Sequence, residues 1–145
     1  LFELDEQIRE VVLSLEKEWT SKNIELDIDL DEVSIRTDKT LLSHVWSNII
    51  GNAIKYSYDN SKIEIKLRNE NDKIKVTIKD YGIGIEEEKI PYIFNKFYQG
   101  DTSHSNEGNG LGLALVKGII DLINGKIEVH SEVNKGTEFI VTLNK

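Results

Sequence analysis

The sequence predicts an α+β chain folded as a two-layer α/β sandwich, with helices in one layer and mostly antiparallel strands in the other. Three observations predict it. Apolar residues recur at helical spacing in three stretches, separated by stretches in which they alternate with polar ones. The later alternating runs come in pairs joined by short turn sequences, the mark of antiparallel hairpins with one wet face. Finally, 145 residues, 39% of them hydrophobic, suffice to bury a core in a single domain spanning residues 1–145.

Each element has its own signal. Over about 5–22, Ile8, Val11, Val12, Leu15 and Trp19 describe one amphipathic helix. Residues 24–30 alternate strictly, and 33–37 give a second short strand. Asp38 is an N-cap for a helix reaching about Tyr56. Ile63, Ile65 and Leu67, then Ile74, Val76 and Ile78, make a hairpin turned at residues 69–72. Ile127 and Val129 pair with Phe139, Val141 and Leu143 across a turn at residues 134–136. Between the hairpins a helix over about 110–124 carries Leu113, Leu115, Val116, Ile119, Ile120 and Ile123, and Gly125 stands at the C′ position that would stop it. Residues 99–109 contain no apolar side chain and no periodicity, and a stretch of that kind in a compact domain reads as a lid.

Composition removes several functions. A formal charge of −8 weighs against nucleic acid or an anionic membrane as partner. The absence of cysteine excludes disulfides and thiolate metal sites. No apolar run approaches the roughly 18 residues of a membrane span, so direct membrane insertion is not expected. Since the chain begins at Leu1, it is expected to be a fragment of something longer.

Three motifs carry chemistry. On the helix ending near Tyr56, Asn48, Asn52, Lys55 and Tyr56 fall within about a quarter of the circumference, beside a core stripe of Leu42, Val45, Trp46, Ile49, Ile50 and Ala53. An asparagine oxygen is a hard neutral ligand suited to Mg²⁺ beside phosphate, and Lys55 can meet a phosphate as a point charge. Asp80 closes a strand just before Gly82 and Gly84, where its carboxylate can accept the exocyclic amine of adenine and would repel the carbonyl of guanine. Gly108, Gly110 and Gly112 open an apolar helix whose N–H groups can meet phosphate oxygens. The spacing fits neither a P-loop nor a dinucleotide-binding fingerprint.

In this order the motifs closely resemble the ATP-binding catalytic domain of bacterial sensor histidine kinases, within the superfamily shared with gyrase and the heat-shock chaperone ATPases. Residues 48–56 match that family's N box, 80–84 its G1 box, 93–98 (with Phe94 and Phe97) its F box and 108–112 its G2 box, and Lys135, Gly136, Thr137 and Phe139 match its closing strand. The resemblance implies a mixed, mostly antiparallel five-stranded sheet with three main helices on one face and a flexible lid over ATP. It implies Asn52 as the Mg²⁺ ligand with Asn48 beside it, Lys55 and Tyr56 at the phosphate and sugar, and Asp80 on the adenine amine with Thr137 close by through water. Gly82, Gly84, Ile85, Lys96, Tyr98, Gly108, Gly110, Leu111, Gly112 and Leu113 would complete the nucleotide site. Asn48, Asn52 and Lys55 would be the catalytic set, and Phe94 and Phe97 either lid anchors or core.

The departures matter. Gln99 stands where many members carry a cation, and no Lys or Arg occurs over 97–116, so phosphate clamping rests on Mg²⁺, Lys55 and Lys96. Asn109 replaces the commoner Thr or Ser. Asn48 occupies the place of the water-activating glutamate of related ATPases and cannot take a proton, so hydrolysis should be slow. Of His44, His104 and His130, none is followed by the acidic residue, Arg and Pro of a phosphoacceptor. The implied partners are a dimerisation domain bearing that histidine and a downstream response regulator, with this domain in the cytoplasm and its parent membrane-anchored. Two alternatives stand beside this reading: a serine kinase or ATPase of the same superfamily, and a non-catalytic nucleotide sensor.

Overall fold

A computed structural model describes residues 1–95 and 112–145. The expected lid, with Lys96, Phe97, Tyr98, Gly108, Gly110 and Leu111, lies outside the described residues. The described elements run β1 (Phe2–Glu3), α1 (Leu4–Ser14), α2 (Glu16–Ser21), β2 (Glu25–Leu30), β3 (Ser34–Ile35), α3 (Lys39–Lys55), β4 (Lys62–Glu70), β5 (Lys73–Asp80), a 3-10 turn (Glu87–Tyr92), α4 (Gly112–Leu122), β6 (Lys126–Glu132) and β7 (Gly136–Asn144).

Five strands form the main sheet in the order β2-β4-β5-β7-β6. The β2–β4 pairing is parallel, which α3 makes possible as the crossover between them, and the other three pairings are antiparallel. Ile63, Ile65 and Leu67 of β4, Ile74, Val76 and Ile78 of β5 and Val141 and Leu143 of β7 all point inward and are buried. They share one core with Leu4, Ile8, Val11 and Val12 of α1, the expected stripe of α3, and Val116, Ile119 and Ile120 of α4. Asp38 caps α3 as expected, its Oδ1 accepting from the Leu41 N–H at 3.0 Å. The sandwich is therefore the one expected, with helices on one face and a charged, open sheet face on the other.

Four details differ from the expectation. The helix over 5–22 is broken at Leu15. Leu15 N–H turns to Val12 O (3.1 Å) instead of Val11 O, while the Ser14 hydroxyl donates to Val11 O (2.6 Å) and the Trp19 indole to Val12 O (3.0 Å). Residues 33–37 contribute only β3, which pairs with the unexpected β1 outside the main sheet. Leu115 faces solvent rather than the core. The left-handed residue that ends α4 is Asn124 (φ 60°), and Gly125 comes one position later, its N–H reaching back to Ile120 O at 2.9 Å while Asn124 N–H takes Asp121 O at 3.1 Å. That is a Schellman closure with asparagine at C′.

Candidate functional site

The site is built on α3. Its buried stripe locks the helix to the sheet, and the adjoining face holds Asn48, Asn52 and Lys55, all half-buried. Asn48 is fixed by its own helix, donating from Nδ2 to His44 O at 2.7 Å, so its amide oxygen points away from the helix. The start of α4 lies against that oxygen. A Cβ on Gly112 would come within 2.8 Å of Asn48 Oδ1, so glycine is what lets the α4 N-terminus approach the polar stripe. Lys55 Nζ lies 5.3 Å from the Tyr56 ring centre, and Tyr56 is partly exposed at the helix end.

Asp80 closes β5 and is 4% exposed. Its Oδ1 accepts from Gly82 N–H at 2.9 Å and from Thr137 N–H at 3.3 Å. Among the described residues no Lys or Arg pairs with it, and burial pushes its carboxyl above the ordinary value, the two N–H donors pulling back only in part. Among the described residues no buried side-chain oxygen lacks a partner. Oδ2, which takes no hydrogen bond, is therefore the edge of Asp80 that reaches the surface, an acceptor presented to whatever sits above it. Thr137 meets Asp80 directly through its backbone N–H.

The loop after Asp80 is wedged between two walls. Gly82 passes so close to the end of α3 that a Cβ would lie 2.0 Å from Tyr56 O. Ile83 N–H bonds that same carbonyl at 3.1 Å, and Ile83 O accepts Asn134 N–H at 2.7 Å. Gly84 takes φ 73°, a conformation glycine adopts without strain. Ile85 N–H then donates to Ser131 Oγ at 2.7 Å. Ser131 Oγ lies 3.0 Å from Gly136 O and 2.8 Å from Thr137 Oγ1, a contact that sets the threonine hydroxyl beside the Asp80 loop.

The structure thus sets Gly112, at the start of α4 with Leu113, against Asn48, and joins Tyr56, just past the end of α3, to the loop of Asp80, Gly82, Gly84 and Ile85, which Thr137 of β7 meets at Asp80; Asn52 and Lys55 lie on α3 between these two ends. Phe94 packs edge-on against Phe139, with ring centres 6.5 Å apart, which ties the F-box start to the core. Two supports were not foreseen. The Lys22 ammonium donates to Ile54 O (2.9 Å), Lys55 O (2.8 Å) and Ser57 O (3.0 Å), closing the C-terminal end of α3. Ser131 pins the Asp80 loop to β7. Both act on backbone atoms distant in sequence, so no local pattern announces them. One open cavity lined by Asn23, Asn60 and Lys62, and another between α1 and the first half of α3 lined by Gln7, Lys39 and His44, include none of these site residues.

The residues fit a nucleotide and a hard cation. The fitting observations are a surface-reaching acceptor on a buried carboxylate, close backbone approaches that only glycine permits, and amide oxygens rather than an acidic cluster. Among the described residues no group of three or more His, Asp or Glu could hold a metal by itself, so a bound cation would take phosphate oxygens beside asparagine.

Comparison with known proteins gives the same direction. Residues 37–145 match the family described as histidine kinase-, DNA gyrase B- and HSP90-like ATPase. Signal transduction histidine-protein kinase ArlS of Staphylococcus aureus is 37% identical over 138 residues, covering 94% of this chain and 31% of ArlS. The chain therefore spans about a third of the length of the curated relatives it matches. The catalytic domain of histidine kinase ThkA superposes with a TM-score of 0.87 at 31% identity, covering 99% of this chain and 93% of that one. The mycobacterial sensor histidine kinase MprB shares the fold, with a TM-score of 0.89 at 22% identity over 99% of this chain and 96% of that one. A further ThkA structure, in complex with response regulator protein TrrA, matches with a TM-score of 0.81 at 31% identity, over 99% of this chain and 41% of that one.

Proposed function

The chain belongs to the histidine kinase-, DNA gyrase B- and HSP90-like ATPase family, as the catalytic domain of a sensor histidine kinase, and from that premise we propose that it binds Mg²⁺-ATP along α3 and passes the γ-phosphate to a histidine on a separate dimerisation domain. The observation that carries the adenine half is Asp80, a buried carboxylate beside Thr137 that has no cation among the described residues and keeps Oδ2 for a further donor. An adenine amine would supply the donor that edge lacks. Thr137 Oγ1, in contact with Ser131 Oγ, adds a hydroxyl at the same rim.

At the other end of the site Asn52, with Asn48 beside it, would hold Mg²⁺ through amide oxygen, and Lys55 and Tyr56 would face the phosphates and sugar. Mg²⁺, when bound, supplies charge neutralisation at the transferring phosphoryl group. Gly82, Gly84 and Ile85 shape the base pocket, while Gly112 and Leu113 bring the α4 N-terminus to the phosphate end. Lys96, Tyr98, Gly108, Gly110 and Leu111 belong to the same reading and lie outside the described residues. Asn48 cannot take a proton from water, so the domain positions ATP without a base for hydrolysis and leaves the phosphoryl group for a histidine acceptor.

The ThkA–TrrA complex supports a response regulator as the downstream partner. Among the described residues no helix is long and apolar enough to cross a membrane, and we place the domain on the cytoplasmic side of a membrane-anchored parent. Calorimetric titration of ATP with Mg²⁺, with GTP and Asp80→Asn in parallel, tests the site. ATP should bind in preference to GTP and lose about 1.5–3 kcal/mol in the variant. A folded domain that binds neither nucleotide, or a variant as tight as the wild type, overturns the reading.

A further inference from the structure

Tyr81, the residue after Asp80, is anchored on the far side of the sheet from the nucleotide site. The β5 ladder to β4 ends at Asp80, opposite Ile63, and the ladder to β7 ends at Lys79, opposite Glu138. Tyr81 therefore stands where the sheet stops and the loop of Gly82 and Gly84 begins. Its hydroxyl donates to Glu64 Oε1 at 2.6 Å, on the helix-free face of β4, where Glu64 alternates with the buried Ile63 and Ile65. The Lys79 and Lys62 ammonium groups lie 5.1 and 5.4 Å from the centre of its ring. Glu64 is the main reason the Tyr81 hydroxyl is pushed up to about 12, and the same hydrogen bond holds the Glu64 carboxyl below its ordinary value. The pair thus stays phenol and carboxylate throughout the neutral range.

A cross-strand pair of this kind stabilises a sheet, but its place gives it a second consequence. Successive residues of a strand point to opposite faces, so Tyr81 grips the outer face while Asp80 turns its carboxylate inward and is buried. The peptide joining them is confined from the β7 side as well. A Cβ on Gly136 would lie 2.0 Å from Asp80 O and 2.8 Å from Tyr81 Cα. Rotating that peptide would carry Oδ1 away from the Gly82 and Thr137 N–H groups and pull the phenol off Glu64 at the same time. We propose that Tyr81 is a positioning residue for the base: anchored by Glu64, it fixes the Asp80–Tyr81 peptide and so aims the Asp80 carboxylate at the adenine amine. This role rests on the reading of Asp80 as the adenine acceptor. A recognition group needs such support because a displacement of about 0.5 Å already takes it out of productive geometry.

The test compares Tyr81→Phe, Glu64→Thr and Glu64→Gln in the ¹⁵N-labelled 145-residue chain. Phenylalanine keeps the ring, threonine gives up the acceptor, and glutamine keeps one. In the ligand-free chain the amide resonances of Gly82 and Thr137, the two donors to Asp80, should shift in Tyr81→Phe and Glu64→Thr and stay near wild type in Glu64→Gln. In calorimetry with Mg²⁺-ATP the first two variants should bind about fivefold more weakly, the order of one lost hydrogen bond, while Glu64→Gln keeps most of the affinity. The double variant Tyr81→Phe/Glu64→Thr should be no weaker than either alone, since both remove the same contact. A contact that serves only the sheet would lower stability in urea and leave both amides and ATP affinity unchanged, which overturns the proposal. Equal losses in Glu64→Gln and Glu64→Thr, or losses that add in the double variant, overturn it as well. A wild-type chain that binds no ATP overturns the adenine reading and this role with it. A wild type that binds, beside a Tyr81→Phe variant that binds equally, overturns this role alone.

Discussion

Asp80 shows how a single residue can be set against the fold that holds it. Burial raises its pKa above the ordinary 3.8, so the folded chain holds the proton more tightly than the unfolded one. The sign follows from linkage. Stability contributed by the neutral carboxyl is intact below the unfolded value and is lost as pH climbs through the folded one, leaving the ligand-free domain weakened at neutral pH. Asparagine keeps the acceptor for Gly82 and Thr137 and removes the charge. Asp80→Asn should therefore be at least as stable as wild type in urea at about pH 7, with the gap closing near about pH 3.5, while ATP affinity falls. A variant clearly less stable at neutral pH would mean the carboxylate serves the fold instead. The residue itself was legible because its role is written locally, a carboxylate ending an alternating strand before two glycines. Ser131 and Lys22 were not, since a hydroxyl in a strand and a lysine after a helix look ordinary until the backbone they bind arrives from far along the chain.

At the scale of elements α3 is the beam of the site, and its two ends are closed by different means. Asp38 closes the first, four residues before its stripe begins at Leu42, and the sequence announces it. The second end finishes against three carbonyls held by Lys22 and against Ser57, whose hydroxyl donates to Ala53 O at 2.6 Å. Tyr56 O, next in line, receives Ile83 N–H, so the end of α3 and the Asp80 loop move as one piece. Lys22→Met keeps the apolar stem and removes the ammonium. It should cost about 2 kcal/mol in urea unfolding and also weaken ATP binding, because the carbonyls on either side of Tyr56, whose own carbonyl positions the loop, are no longer held. A loss of stability with unchanged ATP affinity would show that the loop holds its place without the helix end. Periodicity read these helices well where one face is buried. It misread the break at Leu15 and the αL residue at Asn124 because both turn on which group takes a particular carbonyl or backbone angle, and hydrophobic pattern carries no such information.

For the whole molecule the two faces of the sandwich differ: helices and the candidate nucleotide site on one side, a charged sheet face on the other. Sheet composition was legible from alternation, whereas strand order and the parallel β2–β4 pairing depend on where the α3 crossover lands, which no run of residues encodes by itself. The same layout bears on which histidine the proposed transfer could reach. His44 is exposed on α3 one turn before Asn48, with its carbonyl occupied by Asn48, and His130 lies exposed on the open sheet face opposite Glu138. Neither imidazole lies among the residues the structure brings together at Asp80 and Lys55. With γ-labelled ATP and Mg²⁺ neither His44 nor His130 should therefore acquire label, and a separately supplied dimerisation domain bearing a phosphoacceptor histidine should acquire it. Without a base at Asn48, loss of γ-phosphate to water should run about a hundredfold or more slower than transfer to that acceptor. Label on a serine acceptor, or rapid ATP turnover with no acceptor present, would move the chain from histidine transfer to one of the other chemistries its family supports.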